Sequence, residues 1–465
     1  MSLTIHMPES CPAERRYVVS LVFGEFLGIP VRISVEPRSD VAITGTDGKE
    51  LILADVFFPA AEKNWLAPAS MPLRPLDWIE LPNEIASPPL VERKLPMLFG
   101  ESADAPLLVH ESPTRLRSTL DVLGSIFFLV SRYEELAAPA ADDRGRFPAS
   151  ASLAHQEGFL DRPLADEYVE LLWTLLRQQW PGLERRQHRY RLYLSHDVDS
   201  PYRVLGRPVL DVALAAAADV ALRRGIRAAA NRLKNAYQVY KGNCGVDPYN
   251  TFAYIMSTSE AHSLRSAFYF ITRRRMGRLD GTYRFHAPEV QQLIRTVHER
   301  GHEIGLHPGY STFCSRRRIA DEFSILREQC ERIGIQQSRW GGRQHYLRWR
   351  NPTTWEAWEQ AGLDYDSTLG YPDSIGFRCG TCREYSVYDL VGRRRLALRE
   401  RPLIAMDCAM SYHFPKPDQA CQEHVARLVT RCRRLKGNFT LLWHNNNLRT
   451  ESQRCCYEEI LRTAA

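Results

Sequence analysis

The chain has 465 residues, 44% hydrophobic and 25% charged, which is the composition of an ordinary folded protein and excludes a disordered or collagen-like chain. That length exceeds the usual single-domain range, so two domains are expected, each able to bury its own core. The formal charge of +6 is modest, and its arginines fall in short clusters (Arg273–Arg275, Arg316–Arg318, Arg393–Arg395) that read as solvated loops; with no basic stripe beside them, no nucleic-acid partner is expected.

In chain order, Arg15-Arg16 precede an apolar run from Val18 to Ile29. Glu25 interrupts that run and no small-residue cleavage site follows, so it reads as a strand or helix rather than an export signal. Asp121 to Val130 carries the periodicity of a buried helix. Glu134 and Glu135 are helix neighbours that point apart, which suits an ion-paired helix end better than a paired-acid site. A polar loop holding Asp142-Asp143-Arg144-Gly145-Arg146-Phe147 comes next. Tyr168 to Trp180 reads as a helix leading to a polar linker, Pro181 to Arg191. Residues 1–187 are therefore expected to form a smaller mixed α/β domain.

From Arg191 onward, short apolar strands alternate with helical patterns, as in a parallel sheet or barrel. Strands are expected at 191–197, 266–271, 302–307, 338–343, 364–368, 402–408 and 438–444. Helices are expected over Pro288–Arg300, Ile319–Ile333, Pro352–Ala361 and Gln419–Leu435. The Ala-rich stretch Val209 to Lys234, within an insertion at about 205–245, reads as helical and is expected to pack against the N-terminal domain.

The chemistry concentrates at strand ends. Leu192 to Asp199 is an apolar run that delivers Asp197 and Asp199 to one face, because side chains alternate along a strand. Two later strands end in histidine, Ile304-Gly305-Leu306-His307 and Leu441-Leu442-Trp443-His444. Alternation puts His302 on the face opposite His307 and Trp443 opposite His444, so both are read as structural. Parallel barrels place their chemistry at strand C-termini.

Five segments, in order, resemble the polysaccharide deacetylases of carbohydrate esterase family four, whose catalytic part is the NodB-homology domain. They are Ser195-His196-Asp197-Val198-Asp199, Gly301-His302-Glu303-Ile304-Gly305-Leu306-His307, Arg343-Gln344-His345-Tyr346, Asp364-Tyr365-Asp366-Ser367-Thr368 and Leu442-Trp443-His444. The resemblance covers roughly residues 188–460, and the second segment is the most specific. Residues 1–187 look like the uncharacterised domain that precedes some bacterial deacetylase domains.

The resemblance implies a distorted (β/α) barrel of about seven parallel strands over 188–465, and a metal-dependent deacetylase. Asp197 would be the general base, kept ionised by Arg343. Asp199 and His307 would hold a divalent cation, zinc before cobalt, nickel or manganese. His444 would protonate the leaving amine, Asp366 would orient a histidine, and the Tyr346 N–H would help bind the oxyanion. The family's second metal histidine falls on Ser311, a poor ligand, so the third ligand is open between His345, Ser311 and none. Tyr346, Trp340 and Trp349 are candidates for stacking on a sugar ring.

The expected substrate is an acetylated glycan, or a lipid-linked or nucleotide-linked sugar precursor, losing N-acetyl or, less readily, O-acetyl groups in surface polysaccharide biosynthesis. A non-catalytic glycan-binding or scaffolding homologue without its metal, and a cyclic-amide hydrolase, are the alternatives. Eleven scattered cysteines argue against a disulfide framework and for a reducing compartment, with Cys379-Gly380-Thr381-Cys382 read as free thiols in a loop. No run approaches the roughly 18 apolar residues of a membrane span, so a cytoplasmic location is expected; the oligomeric state is not legible.

Overall fold

The computed structural model describes residues 2–82, 85, 90, 92–102, 105–205, 207–222, 225–413 and 419–465. The first half builds a sheet from β1 (Leu3–Met7), β2 (Val31–Val35), β3 (Val41–Gly45), β4 (Glu50–Leu53), β7 (Leu108–Ser112) and β8 (Arg115–Ser118), in the order β2-β1-β3-β4-β8-β7; β5 (Asp77–Glu80) and β6 (Lys94–Met97) form a separate pair. Both parallel and antiparallel neighbours occur in the sheet. The apolar run from Val18 is helical: Pro12–Val19 continues as a wider-wound turn, Ser20–Leu27, and stops at Gly28 with φ 69°. Asp121 caps the buried helix Val122–Val130, its Oδ1 accepting from the Gly124 N–H at 2.8 Å. Glu134 and Glu135 are indeed ion-paired, at 3.3 and 3.0 Å from Arg132, and Glu135 also meets Arg378 at 2.8 Å.

The second half builds β9 (Arg191–Val198), β10 (Ser266–Phe270), β11 (Glu303–Leu306), β12 (Gly341–Gly342), β13 (Tyr365–Asp366), β14 (Tyr385–Asp389), β15 (Arg394–Glu400), β16 (Ala405–Met406) and β17 (Asn438–Leu442). Their order is β14-β15-β13-β12-β11-β10-β9-β17-β16. All neighbours are parallel except the β14–β15 hairpin. This corrects the expected barrel: among the described residues the sheet is mostly parallel but does not close, since β14 and β16 remain its edges. The hairpin was not anticipated, because the run Arg393-Arg394-Arg395 reads as a loop. Its charges are instead paired, Arg393 to Glu14 at 2.7 Å, Arg394 to Glu359 at 2.9 Å and Arg395 to Glu25 at 2.9 Å. Two of these pairs tie the halves of the chain together, as do Asp166–Arg383 and the Tyr17 hydroxyl donating to the Ser386 carbonyl.

Helices Pro288–Glu299, Arg316–Arg332, Thr353–Ala361 and Gln419–Arg434 fill the intervals where helical spacing is read. The insertion is helical, over Val209–Ala221 and Ile226–Tyr240; Arg223 and Arg224, within the Ala-rich stretch, lie outside the described residues. They pack on each other through Val204, Val212, Ala236 and Val239. Among the described residues, this small core includes no residue of the N-terminal half. Their outward faces leave Leu210, Leu214, Ile226 and Leu233 exposed.

Close approach at the centre of the sheet sets the register that matters for chemistry. A Cβ on Gly342 would overlap the Leu306 carbonyl, so only glycine lets β12 lie this tightly against β11. His307 and Arg343, the next residue of each strand, are thereby brought side by side, and the His307 Nδ1–H donates to the Arg343 carbonyl at 2.6 Å.

Candidate metal centre and its cavity

Asp197 lies at the end of β9 and Asp199 just beyond it; alternation points both into a cavity of about 220 Å³ at the C-terminal edge of the sheet. Its walls are Asp197, Asp199, His307, His345, Tyr346, Leu347, Pro372, Met406, Cys408 and His444, joined by Arg144 and Arg146 from the first half of the chain. Six of the eight residues expected from the sequence line this cavity; Arg343 reaches it through its ion pair with Asp197, and Asp366 does not line it.

Asp199, His307 and His345 each bring a ligand atom within 4.8 Å of the other two. His307 Nε2 and His345 Nε2 stand 3.1 and 3.2 Å from Asp199 Oδ1, yet that buried oxygen has no hydrogen-bond partner of sound geometry. His307 cannot serve as its donor in the neutral form, because its proton is held on Nδ1 by the Arg343 carbonyl. A lone pair on His307 Nε2 aimed at the same point as a carboxylate oxygen is the arrangement a cation requires. Two imidazoles and a carboxylate make a complete three-ligand set for a catalytic zinc-type ion with one open position. His345, rather than Ser311, is the side chain that stands beside Asp199 and His307. Ser311 is turned away, its hydroxyl accepting from Arg318 Nη1 at 3.1 Å. Without a cation, burial raises the Asp199 pKa, but the charges of His345 and His307 beside it outweigh that and hold the carboxyl well below its usual range.

Asp197 is fixed by Arg343, whose Nη1 donates to Oδ1 at 2.8 Å while its other nitrogens donate to the Ser367 carbonyl, the Ser367 hydroxyl and the Ser195 hydroxyl. Asp197 Oδ2 is left facing the site, 3.8 Å from His307 Nε2. Arg343 is completely buried, so its charge and that of Asp197 depend on each other.

His444 enters from the end of β17, with Nε2 3.8 Å from Asp199 Oδ2. Its Nδ1–H donates to Asp407 Oδ1 at 2.7 Å and its backbone N–H to Asp407 Oδ2 at 2.9 Å. Burial lowers the His444 pKa, but Asp407 and Cys408 raise it well above the ordinary imidazole value. Asp407, not Asp366, is the acid that orients a histidine, which corrects the expected role of Asp366. The Asp366 Oδ1 accepts from the backbone and hydroxyl of its near neighbour Thr368. Its pKa is pushed up to about 7 by burial, and the neighbouring Glu400 is raised by burial and by Asp366 itself.

Asp407 and Cys408 follow a strand of only two residues, Ala405–Met406, too short for alternation to single them out in the sequence. Tyr346 lines the cavity in a left-handed conformation, φ 62°. Trp340 and Trp349 are buried against Phe323 and Trp355 rather than offering faces to a sugar. His302 is on the far face as read, accepting at Nδ1 from the Ser266 N–H. Cys379 and Cys382 are free, buried thiols.

Residues 3–181 match the model of a family of unknown function, DUF7033. A search of curated proteins returned no match. Among solved structures, the chain is similar to a "putative polysaccharide deacetylase from Mycobacterium smegmatis", with TM-score 0.37 and 15% identity over 60% of this chain and 84% of that one. It is also similar to Puue allantoinase, with TM-score 0.36 and 13% identity over 69% of this chain and 91% of that one. Likeness at this level bears on neither substrate nor reaction. No helix among the described residues is long and apolar enough to cross a membrane.

Proposed function

We propose that the protein is a metal-dependent amidohydrolase that removes N-acetyl groups from an amino sugar or glycan precursor. One observation carries the reading: Asp199, His307 and His345 converge on a single point in a cavity that also holds an arginine-paired carboxylate and a carboxylate-held imidazole. A divalent cation bound there would act as a Lewis acid, lowering the pKa of water towards neutrality and polarising the acyl oxygen.

The remaining roles belong to the chain. Asp197, oriented by Arg343, accepts a proton from the attacking water through the oxygen that Arg343 leaves free. The water oxygen bonds to the carbonyl carbon and the carbon–nitrogen bond breaks. His444, protonated because Asp407 stabilises its cationic form, gives its Nε2 proton to the departing amine. Acetic acid and a free amine result, the proton taken by Asp197 balancing the one His444 supplies, and the acid then loses its own proton to solvent or to the amine to give acetate. Sugar contact falls to Tyr346, which lines the cavity, and its N–H remains the proposed oxyanion donor.

Zinc or cobalt would satisfy the ligand set; the residues do not choose between them. The complete ligand triad favours an active enzyme over a metal-free scaffold. Hydrolysis of a cyclic amide needs the same groups and is the second reading. Acetate release from N-acetylglucosamine derivatives by zinc-loaded protein, set against ring opening of allantoin, separates the two. Absence of both activities in protein that retains the metal would refute the hydrolase proposal.

A further inference from the structure

We infer that the substrate carries an anionic group beside the acyl amide, recognised by Arg144 from the first half of the chain. The inference rests on the amidohydrolase reading and narrows its substrate class. Asp142–Arg146 is a tightly closed turn: Asp142 Oδ1 accepts from the backbone N–H groups of Arg144 and Arg146, both at 2.9 Å, and Gly145 adopts φ 71°. The turn is anchored across the cavity rim, since Arg348 Nε donates to the Arg144 carbonyl at 2.8 Å and Arg146 Nη1 to the Tyr346 carbonyl at 3.3 Å. Phe147 packs with Tyr371 behind it.

The two arginines of this turn differ in charge balance. Arg146 is neutralised by Asp142 at 2.6 Å. Arg144 lies over the Tyr346 ring, 4.3 Å from its centroid, and has no carboxylate partner among the described residues. Stacking holds a guanidinium flat while its N–H edge stays free for a planar anion. The cavity is about 220 Å³, below the roughly 300–1,000 Å³ of pockets for drug-sized ligands. Arg144 and the ligand triad are thus walls of one small space, and a sugar unit with its acetamido group at the triad presents a neighbouring substituent to Arg144. Carboxylate and phosphoryl groups both fit this donor.

Calorimetric titration of the full-length, zinc-loaded protein tests this with N-acetylmuramic acid as the carboxylate, N-acetylglucosamine 1-phosphate as the phosphate and N-acetylglucosamine as the neutral sugar. At least one anionic probe should bind about tenfold or more tightly than the neutral one, as expected for a charge-assisted hydrogen bond. The preference should shrink with added salt, fall towards unity in Arg144→Ala and persist in part in Arg144→Lys. The probe preferred tells carboxylate from phosphate. Equal binding of all three probes, no binding of either anion, or an undiminished preference in Arg144→Ala would overturn the inference. A preference that depends on Arg144 without acetate release would leave anion recognition standing and refute deacetylation; acetate release without any preference would do the reverse.

Discussion

The Asp407 carboxylate grips His444 twice, accepting from the ring Nδ1–H at 2.7 Å and from the backbone N–H at 2.9 Å, while Asn447 Nδ2 braces the same carboxylate at 2.8 Å. That grip fixes which nitrogen of His444 faces Asp199 and favours the charged ring. Asp407 itself responds in kind: burial raises its pKa, but His444 and the donors around it bring it below the usual range.

Replacing Asp407 by Asn should therefore lower turnover by about 10–100-fold, the usual cost of losing a partner that orients a site histidine. The sign of the pH effect follows from the raised His444 pKa. The protonated ring is present below that pKa and lost above it, so wild-type activity falls on the alkaline side. Without the carboxylate the pKa drops, and the alkaline limb of the kcat profile should move to lower pH. A profile unchanged in position would remove His444 from the role of acid.

Arg343→Ala should destabilise the fold by about 3–5 kcal/mol, because it leaves the buried Asp197 carboxylate without its charge partner. Arg343→Lys should recover little of this, since one ammonium cannot reach the Asp197, Ser195 and Ser367 acceptors together. Denaturant unfolding of both variants checks the point; a loss confined to Ala would show that charge alone suffices.

The buried Asp366–Glu400 pair should make stability fall as pH rises. Both carboxyls have pKa values above their ordinary ones, Asp366 at about 7, so the folded state binds more protons than the unfolded state between about pH 4 and 7. Stability is greatest below the unfolded-state value and declines through that window. In Asp366→Asn the decline between pH 5 and pH 8 should be shallower than in wild type. Equal slopes in the two proteins would place the ionisation elsewhere.

What the sequence disclosed follows the physics of periodicity. Alternation along β9 put Asp197 and Asp199 on one face and separated His302 from His307, because those strands are long enough to carry a period of two. Asp407 was missed where β16 spans only Ala405–Met406, too short to show any period. Sheet closure, the β14–β15 hairpin and the placement of Arg144 depend on pairing between distant segments, which no local pattern records. That His345 rather than Ser311 enters the cavity is legible in the sequence only as one possibility, since the loop after β12 sets which side chain stands beside Asp199 and His307.

The central claim is that Asp199, His307 and His345 share one ion. Anomalous diffraction from crystals grown with zinc tests it directly. The account predicts a single strong peak in the cavity, about 2.0–2.2 Å from an Asp199 oxygen and from Nε2 of both histidines, lost in His307→Ala and retained in His302→Ala. A peak held instead by Asp407, Cys408 and His444, or no peak within reach of His307, would contradict it.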